Sequence, residues 1–276
     1  MILAPLRGVT IRAFRMAFAA PLREAGFDEA FTPFIPAIHG ADPLKDRELK
    51  GGEEPFLTIT PQFIGKDPYA LRSCLERVKR AGYATADLNC GCSFPMIRKK
   101  GRGSGMLRNP SVLKAMLETG CEVMGEGCFS VKARLGVDGN TELLELMDII
   151  NLFPLRFLTV HARNARQMYD GQCDRESFLE VSRKAKVPVV ENGDLDWRNG
   201  EGMVGRSFIR YLGEREDSAS LLRGYVEISR AELCGDRPVL GRMKELLSYW
   251  RGVPFWAKRW DIVKMCSSTD ELLSII

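Results

Sequence analysis

Ala84-Thr-Ala-Asp-Leu-Asn-Cys-Gly-Cys92, the basic run Lys99-Lys-Gly-Arg-Gly-Ser-Gly105, the segment Pro110–Met124 and Phe129-Ser-Val-Lys132 together decide the architecture. The first piece is β-like and ends on polar groups, the third repeats apolar residues at helical spacing, and the fourth is β-like again. Two strands joined by a helical crossover lie parallel in one sheet, so this stretch reads as a βα unit. Its loop sets two thiols, an amide and a carboxylate ahead of cations and glycines, where backbone N–H groups approach a large anionic ligand closely. A phosphate-binding P-loop competes for the same run, but no Gly-Lys-Ser/Thr ends it. Metal, redox and nucleophilic roles for Cys90 and Cys92 all remain open at this point.

Outward from this unit the pattern repeats. β-like runs stand at 1–4, 29–32, 56–62, 85–89, 129–132, 157–161, 187–191 and 202–204, and helix-like segments at 11–25, 68–81, 110–124, 141–153 and 176–185. Strand alternating with helix predicts an α/β fold, and this many strands at such spacing a TIM (β/α)8 barrel. From Val187 to Gly202 there is no room for a strand, a full crossover and a return, so the seventh crossover helix is expected to be shortened or absent. After Gly213 only helix-like segments follow, at 218–233, 239–250, 254–265 and 269–276. Two domains are expected: a barrel at 1–213 and a small C-terminal helical domain at 214–276.

The chain has 276 residues, 45% of them apolar, enough for one large core and a small satellite. No stretch approaches the ~20 apolar residues of a membrane span, and Met1-Ile-Leu-Ala-Pro5 lacks a signal-peptide layout, so a cytoplasmic protein without a membrane partner is expected. Eight cysteines without framework spacing predict free thiols, most of them core packing. The net charge is a modest +4, and its distribution carries more information. Arg98, Lys99, Lys100, Arg102 and Arg108 form one acid-free basic run. A second, from Arg237 to Lys264, interleaves cations with Tyr249, Trp250, Phe255, Trp256 and Trp260. That pattern suits either nucleic acid, by stacking and phosphate contact, or a solvated helix face over an aromatic core.

In a parallel barrel the C-terminal strand ends share one mouth. The residues there are Pro5, Gln62, Asn89 with Cys92, Lys132 with Arg134, His161 with Arg163, Asn192-Gly193-Asp194 and Gly205-Arg206. Amide, lysine, histidine and arginine around one mouth match a flat hydrogen-bonding ring with a phosphate tail. No metal is expected, because Cys90-x-Cys92 lacks two further ligands nearby.

Ala4-Pro-Leu-Arg-Gly-Val-Thr10, Pro61-Gln62, Asp87–Cys92 with Gly101-Arg-Gly-Ser104, Val131-Lys-Ala-Arg-Leu-Gly136, His161-Ala-Arg163 with Tyr169-Asp-Gly171, Asn192-Gly-Asp194 and Gly205-Arg206, in this order at strand ends, resemble the tRNA-dihydrouridine synthase family. The resemblance spans nearly the whole chain. It implies an FMN-containing barrel with a helical RNA-binding domain that reduces the C5=C6 bond of uridines in tRNA or another structured RNA, with NADPH as reductant; the sequence does not fix the oligomeric state, and a monomer is expected. Position by position, Pro5, Leu6 and Arg7 would line the flavin, and Gln62 and Lys132 would bond its ring, Lys132 stabilising the reduced form. His161, Asn192, Gly193, Asp194, Gly205 and Arg206 would hold the ribityl chain and phosphate. Asn89 would orient uracil or flavin. Cys92 would be the catalytic acid, giving a proton to C5 while a hydride passes from flavin to C6, since a thiol of pKa ~8.5 is still protonated at neutral pH. Arg98, Lys99, Lys100, Arg102, Arg134 and Arg163 would bind RNA, offsetting the few kcal/mol of base extrusion. Glycines 101, 103 and 105 predict a mobile loop after Cys92. The family's proline after the cysteine is Ser93 here, and the acidic residue after Gly-Val-Thr is Ile11. A flavin oxidoreductase of a free pyrimidine and a non-catalytic RNA-binding protein are the competing readings.

Overall fold

The computed structural model describes residues 1–50, 54 and 56–276. Their strands are β1 (Ile2–Leu3), β2 (Glu29–Phe31), β3 (Ile35–Pro36), β4 (Thr58–Thr60), β5 (Gln62–Ile64), β6 (Ala86–Cys90), β7 (Phe129–Gly136), β8 (Leu158–Asn164), β9 (Val189–Asn192) and β10 (Met203–Val204). The helices up to β9 are α1 (Arg12–Ala17), α2 (Ala19–Glu24), α3 (Pro68–Arg80), α4 (Pro95–Lys99), α5 (Pro110–Met124), α6 (Glu142–Ile150) and α7 (Arg175–Lys184). After β10 come α8 (Arg206–Glu214), α9 (Ser218–Glu232), α10 (Asp236–Trp250), α11 (Pro254–Ala257), α12 (Trp260–Met265) and α13 (Thr269–Ser274). The chain divides into two compact units, one of Met1–Pro33, Glu54–Thr58 and Asp196–Ile276, the other of Phe34–Glu53 and Ile59–Leu195.

In the second unit β3, β5, β6, β7, β8 and β9 pair side by side, all parallel. Successive side chains of a strand point to opposite faces, so each strand sorts its residues by parity. Leu88 and Cys90 of β6, Phe129, Val131 and Ala133 of β7, and Leu158, Val160 and Ala162 of β8 share the buried apolar parity. Helices α5, α6 and α7 pack on β7 and β8. The packing of α5 on β7 is so close that a Cβ on Gly120 would overlap the Phe129 ring. The opposite parity holds Asp87, Asn89, Ser130, Lys132, Arg134, Thr159, His161 and Arg163, all of them polar. A slip of one residue would exchange the two sets, so the buried apolar set specifies the register.

Three helices of this unit, α3, α5 and α7, begin at side-chain caps. Asp67 accepts from the N–H of Tyr69 ahead of α3, Asn109 from Val112 ahead of α5, and Asp174 from Ser177 ahead of α7. Pro68 and Pro110 stand at the first helical positions, where a missing N–H costs nothing.

In the first unit β10, β1 and β2 pair in parallel. Helices α1, α8, α9 and α10 pack together around Phe14, Phe18, Tyr225, Trp250 and Trp256. The Phe14 and Phe18 rings lie 4.5 Å apart and those of Trp250 and Trp256 5.1 Å apart. Trp250 Nε1 donates to the Ile209 carbonyl at 2.6 Å, so its one polar atom is satisfied in the core.

The expected seventh crossover helix is indeed absent: between β9 and β10 the chain forms only a 3₁₀ turn at Trp197–Asn199. Several expectations are corrected. The helix expected at 11–25 breaks at Phe18, because Pro21 has no N–H for the carbonyl of Ala17 and its ring crowds that carbonyl. The segment 254–265 is two short helices, α11 and α12. Of the two readings left open for the C-terminal aromatics, Trp250 and Trp256 follow the aromatic core, while Phe255 is exposed under the Arg259 guanidinium, 3.8 Å from its ring centre. The basic segment after Cys92 is not an open loop. It forms α4 and a 3₁₀ helix at Gly103–Arg108, and residues 103–107 are buried.

Candidate active site

The polar parity of β5 and β6 carries a hydrogen-bond network that reaches Ser130 of β7. In register, Gln62 lies opposite Asp87, Asp87 opposite Ser130, and Asn89 opposite Lys132. Lys132 lies opposite Thr159, Arg134 opposite His161, and His161 opposite Asn192. Ser130 Oγ donates to Asp87 Oδ1 and Gln62 Nε2 to Asp87 Oδ2, each at 2.7 Å. Asn89 Nδ2 donates to Gln62 Oε1 at 2.7 Å, and Asn89 Oδ1 accepts from the N–H groups of Gly91 and Cys92 at 3.1 and 2.8 Å.

The two thiols of the motif share one parity and are separated by the end of β6, which holds Cys90 and stops short of Cys92. Cys90 is fully buried, its Sγ 3.7 Å from Met106 Sδ, and burial, reinforced by Asp87, holds its thiol far above the ordinary range. Cys92 is half-buried beyond the strand end. Its carbonyl accepts from Ser104 N at 3.1 Å and Ser104 Oγ at 2.9 Å. Gly103, at φ +57°, passes so near that a Cβ there would lie 2.8 Å from Cys92 Cβ. The glycines expected to confer mobility thus serve close packing that ties the basic segment to Cys92.

Lys132 Nζ donates to Asn192 Oδ1 at 2.7 Å. Burial and the nearby Arg134 push its ammonium down to about 7, against the opposing pull of Asp87 and Cys92. Arg134 and Arg163 are each 3% exposed and work inside the wall of the site. Arg134 donates to the carbonyls of Gly91 and Asn164 at 3.0 and 2.9 Å and lies over the Tyr169 ring. Arg163 bridges His161 Nε2 at 3.2 Å, Asp194 Oδ1 at 3.1 Å and the Gly171 carbonyl at 2.6 Å. Gly193, at φ +126°, leaves room for Cys173, whose Sγ would lie 2.5 Å from an added Cβ.

In the first unit, residues 4–7 and 205–206 come together at the ends of β1 and β10. Leu3 pairs with Val204, Thr10 Oγ1 accepts from Leu6 N at 2.7 Å, and a Cβ on Gly205 would meet Ala4 and Leu6, each at 3.2 Å. Pro5 and Leu6 are half-buried, Arg7 and Arg206 exposed. Arg206 opens α8. Of the other predicted cations, Lys99 and Lys100 are exposed, and Arg98 and Arg102 half-buried.

Sequence reasoning passed over three members of the polar face: Asp87 as a working residue, Ser130 and Thr159. The alternation along Phe129–Arg134 and Leu158–Arg163 could have found Ser130 and Thr159. Thr159 Oγ1 is buried with no hydrogen-bond partner, as expected of a group that serves a bound molecule. Among the described residues no three His, Cys, Asp or Glu side chains group to hold a metal, and no helix is long and apolar enough to cross a membrane.

The parallel α/β sheet, polar on one face along β6 to β8 and covered by helices on the other, is that of a TIM barrel, and comparison bears out that fold. An old yellow enzyme homologue from Zymomonas mobilis superposes with a TM-score of 0.52 at 12% identity, over 76% of this chain and 85% of that one. Morphinone reductase, solved in complex with tetrahydroNAD, gives 0.51 at 12% identity, over 76% and 83%. The chain belongs to the dihydrouridine synthase family, whose model matches residues 2–203. It is therefore an oxidoreductase of a family that forms dihydrouridine. A tRNA-dihydrouridine(16) synthase of Shigella flexneri is 26% identical, over 91% of this chain and 89% of the relative. A tRNA-dihydrouridine synthase B of Shewanella oneidensis is 26% identical over 71% of this chain, which spans 60% of that relative's length. A probable tRNA-dihydrouridine synthase 1 of Synechocystis is 30% identical over 70% of this chain and 53% of the relative.

Proposed function

We propose that this protein reduces the C5=C6 bond of uridine in tRNA to give 5,6-dihydrouridine, with FMN as bound cofactor and NADPH as its reductant, in the cytoplasm. The observation that carries this reading is the polar face itself, which sets Asn89 opposite Lys132 and His161 opposite Arg134 on strands beside the segment that ends at Cys92. The face suits a flat hydrogen-bonding ring: it has an unpartnered buried hydroxyl at Thr159, an ammonium at Lys132 and carboxamides at Gln62 and Asn192. Pro5, Leu6, Arg7, His161, Gly193, Asp194, Gly205 and Arg206 complete the proposed cofactor residues. Bound FMN would supply the hydride.

The chain's own residues do the rest. Cys92 delivers its proton to C5 of the base, and the resulting thiolate regains a proton from solvent. Positive charge at Lys132 and Arg134 stabilises negative charge that develops on the uracil carbonyl. Asn89 holds the Cys92 peptide, while Arg163 braces His161 against Asp194. Arg98, Lys99, Lys100 and Arg102 meet phosphates, and residues 214–276 serve as the RNA-docking domain beside the catalytic part at 1–213.

The test combines two measurements. Purified protein titrated with FMN should show bound-flavin absorbance, and with NADPH and unmodified tRNA it should form dihydrouridine, mapped by position. Flavin binding with turnover of free uracil but not of tRNA would favour the pyrimidine oxidoreductase. No flavin binding would overturn the proposal.

A further inference from the structure

We propose that Asp87 is a positioning residue: the buried acceptor-only end of a hydrogen-bond relay, through Gln62 and Asn89, that sets which atom of Asn89 faces the peptide N–H of Cys92. This inference rests on the assignment of Cys92 as proton donor for its catalytic meaning, though not for its geometry.

A carboxamide presents an acceptor on one side and donors on the other, and only its partners decide which way round it stands. An ionised carboxylate has no donor. Asp87 is fully buried on β6, and Ser130 Oγ already donates to its Oδ1 at 2.7 Å. Gln62 must therefore turn its Nε2 to Asp87 Oδ2, also at 2.7 Å, which leaves Oε1 toward Asn89. Asn89 must then turn Nδ2 to that Oε1, at 2.7 Å. That leaves Asn89 Oδ1 to accept from Gly91 N and Cys92 N at 3.1 and 2.8 Å. Each dipole along the chain is ordered by the charge at its base. Reversing Asn89 would put an amide NH2 against two peptide N–H groups, donor against donor, just where the backbone leaves β6 for Cys92. An unmade bond at such a donor costs ~1–3 kcal/mol, so the correct orientation is favoured by roughly five- to 150-fold.

The relay makes a prediction that a merely space-filling aspartate would not. Asn89→Asp faces two acceptor-only residues across Gln62, leaving Gln62 Oε1 against a carboxylate. Asp87→Asn in that background supplies a donor at the base, so that every bond can form with the direction of Gln62 reversed and the carboxylate at position 89 still accepting from Cys92. Asp87→Asn, Asn89→Asp and the double variant should be compared with the parent protein by urea unfolding and by the pH profile of Cys92 alkylation with iodoacetamide, followed by peptide mass spectrometry. The expected result is a loss of roughly tenfold or more in the folding constant for Asn89→Asp, most of it recovered in the double variant. Asp87→Asn alone should change the Cys92 alkylation profile severalfold while that of Cys128 stays as in the parent. A double variant no more stable than the product of the single losses, or a Cys92 profile in Asp87→Asn that superposes on the parent's, overturns the relay. Dihydrouridine formation by Cys92→Ala fails the catalytic assignment separately and leaves these readouts untouched.

Discussion

Lys132 Nζ donates to Asn192 Oδ1 at 2.7 Å, an ammonium on β7 held by a carboxamide at the end of β9. The neutral oxygen orients the ammonium without supplying a countercharge. Burial and Arg134 therefore lower its proton affinity from 10.5 to about 7.

Stability should follow that titration. In the unfolded chain the lysine keeps its proton to about 10.5, whereas the folded protein releases it near 7, so between these values unfolding takes up a proton. Raising the pH through this window therefore favours the folded state; the contribution is complete above the unfolded value and is lost as pH falls through about 7. The parent's urea midpoint should rise between pH 7 and 10, and Lys132→Met should flatten that rise. Superposable profiles for variant and parent would argue against the buried ammonium.

The two cysteines of the motif should behave oppositely. Cys92→Ala should lower the rate of dihydrouridine formation by ~10²–10⁴, the range for loss of a positioned general acid, with little change in unfolding. Cys90→Ala opens a small cavity beside Met106 and should cost about 1 kcal/mol of stability with activity largely retained. Single-turnover rates and urea melts on both variants check the assignment.

Exposed Lys99 and Lys100 should act on RNA as point charges. Replacing both by Gln should weaken tRNA binding at low salt and reduce the slope of log Kd against log salt by roughly one unit for each phosphate no longer neutralised. Filter binding across a salt series measures it; an unchanged slope would remove these lysines from the RNA surface.

Arg15 and Glu54 form a fully buried ion pair in the first unit, Nε to Oε1 at 2.9 Å, and Arg15 Nη1 donates to the Thr10 carbonyl at 3.0 Å. Arg15→Met strands the carboxylate and should cost about 3–5 kcal/mol, whereas Arg15→Met with Glu54→Leu should recover most of that loss. Denaturant unfolding of both variants decides it.

Much of the site was legible because strand ends are local signals. Asn89, Cys92, Lys132 and His161 each stand at or beyond the end of a β-like run; β7 and β8 in fact continue to Gly136 and Asn164, and parallel register sets Lys132 and His161 on the face they share with Asn89. The breaks were less legible. Pro21 inside a periodic segment is a local signal that the apolar spacing outweighed, whereas the fate of the basic run depended on Gly103 meeting Cys92 Cβ, a contact that leaves no periodic trace. Trp250 and Trp256 looked the same as stacking residues until their burial against Phe18 and each other was known.

By itself the sequence determined the alternation of strand and helix, the missing seventh crossover and the motif order that marks the family, because each rests on neighbours along the chain. The tertiary structure decided the partners. Asp87 was only a charge in a motif until parallel register placed Gln62 on one side of it and Ser130 on the other. Cys90 and Cys92, two residues apart, differed only once packing buried one beside Met106 and left the other half-exposed. Hydrogen-bond direction and proton affinity depend on atoms distant in the chain, and only pairing between strands brings those atoms within reach.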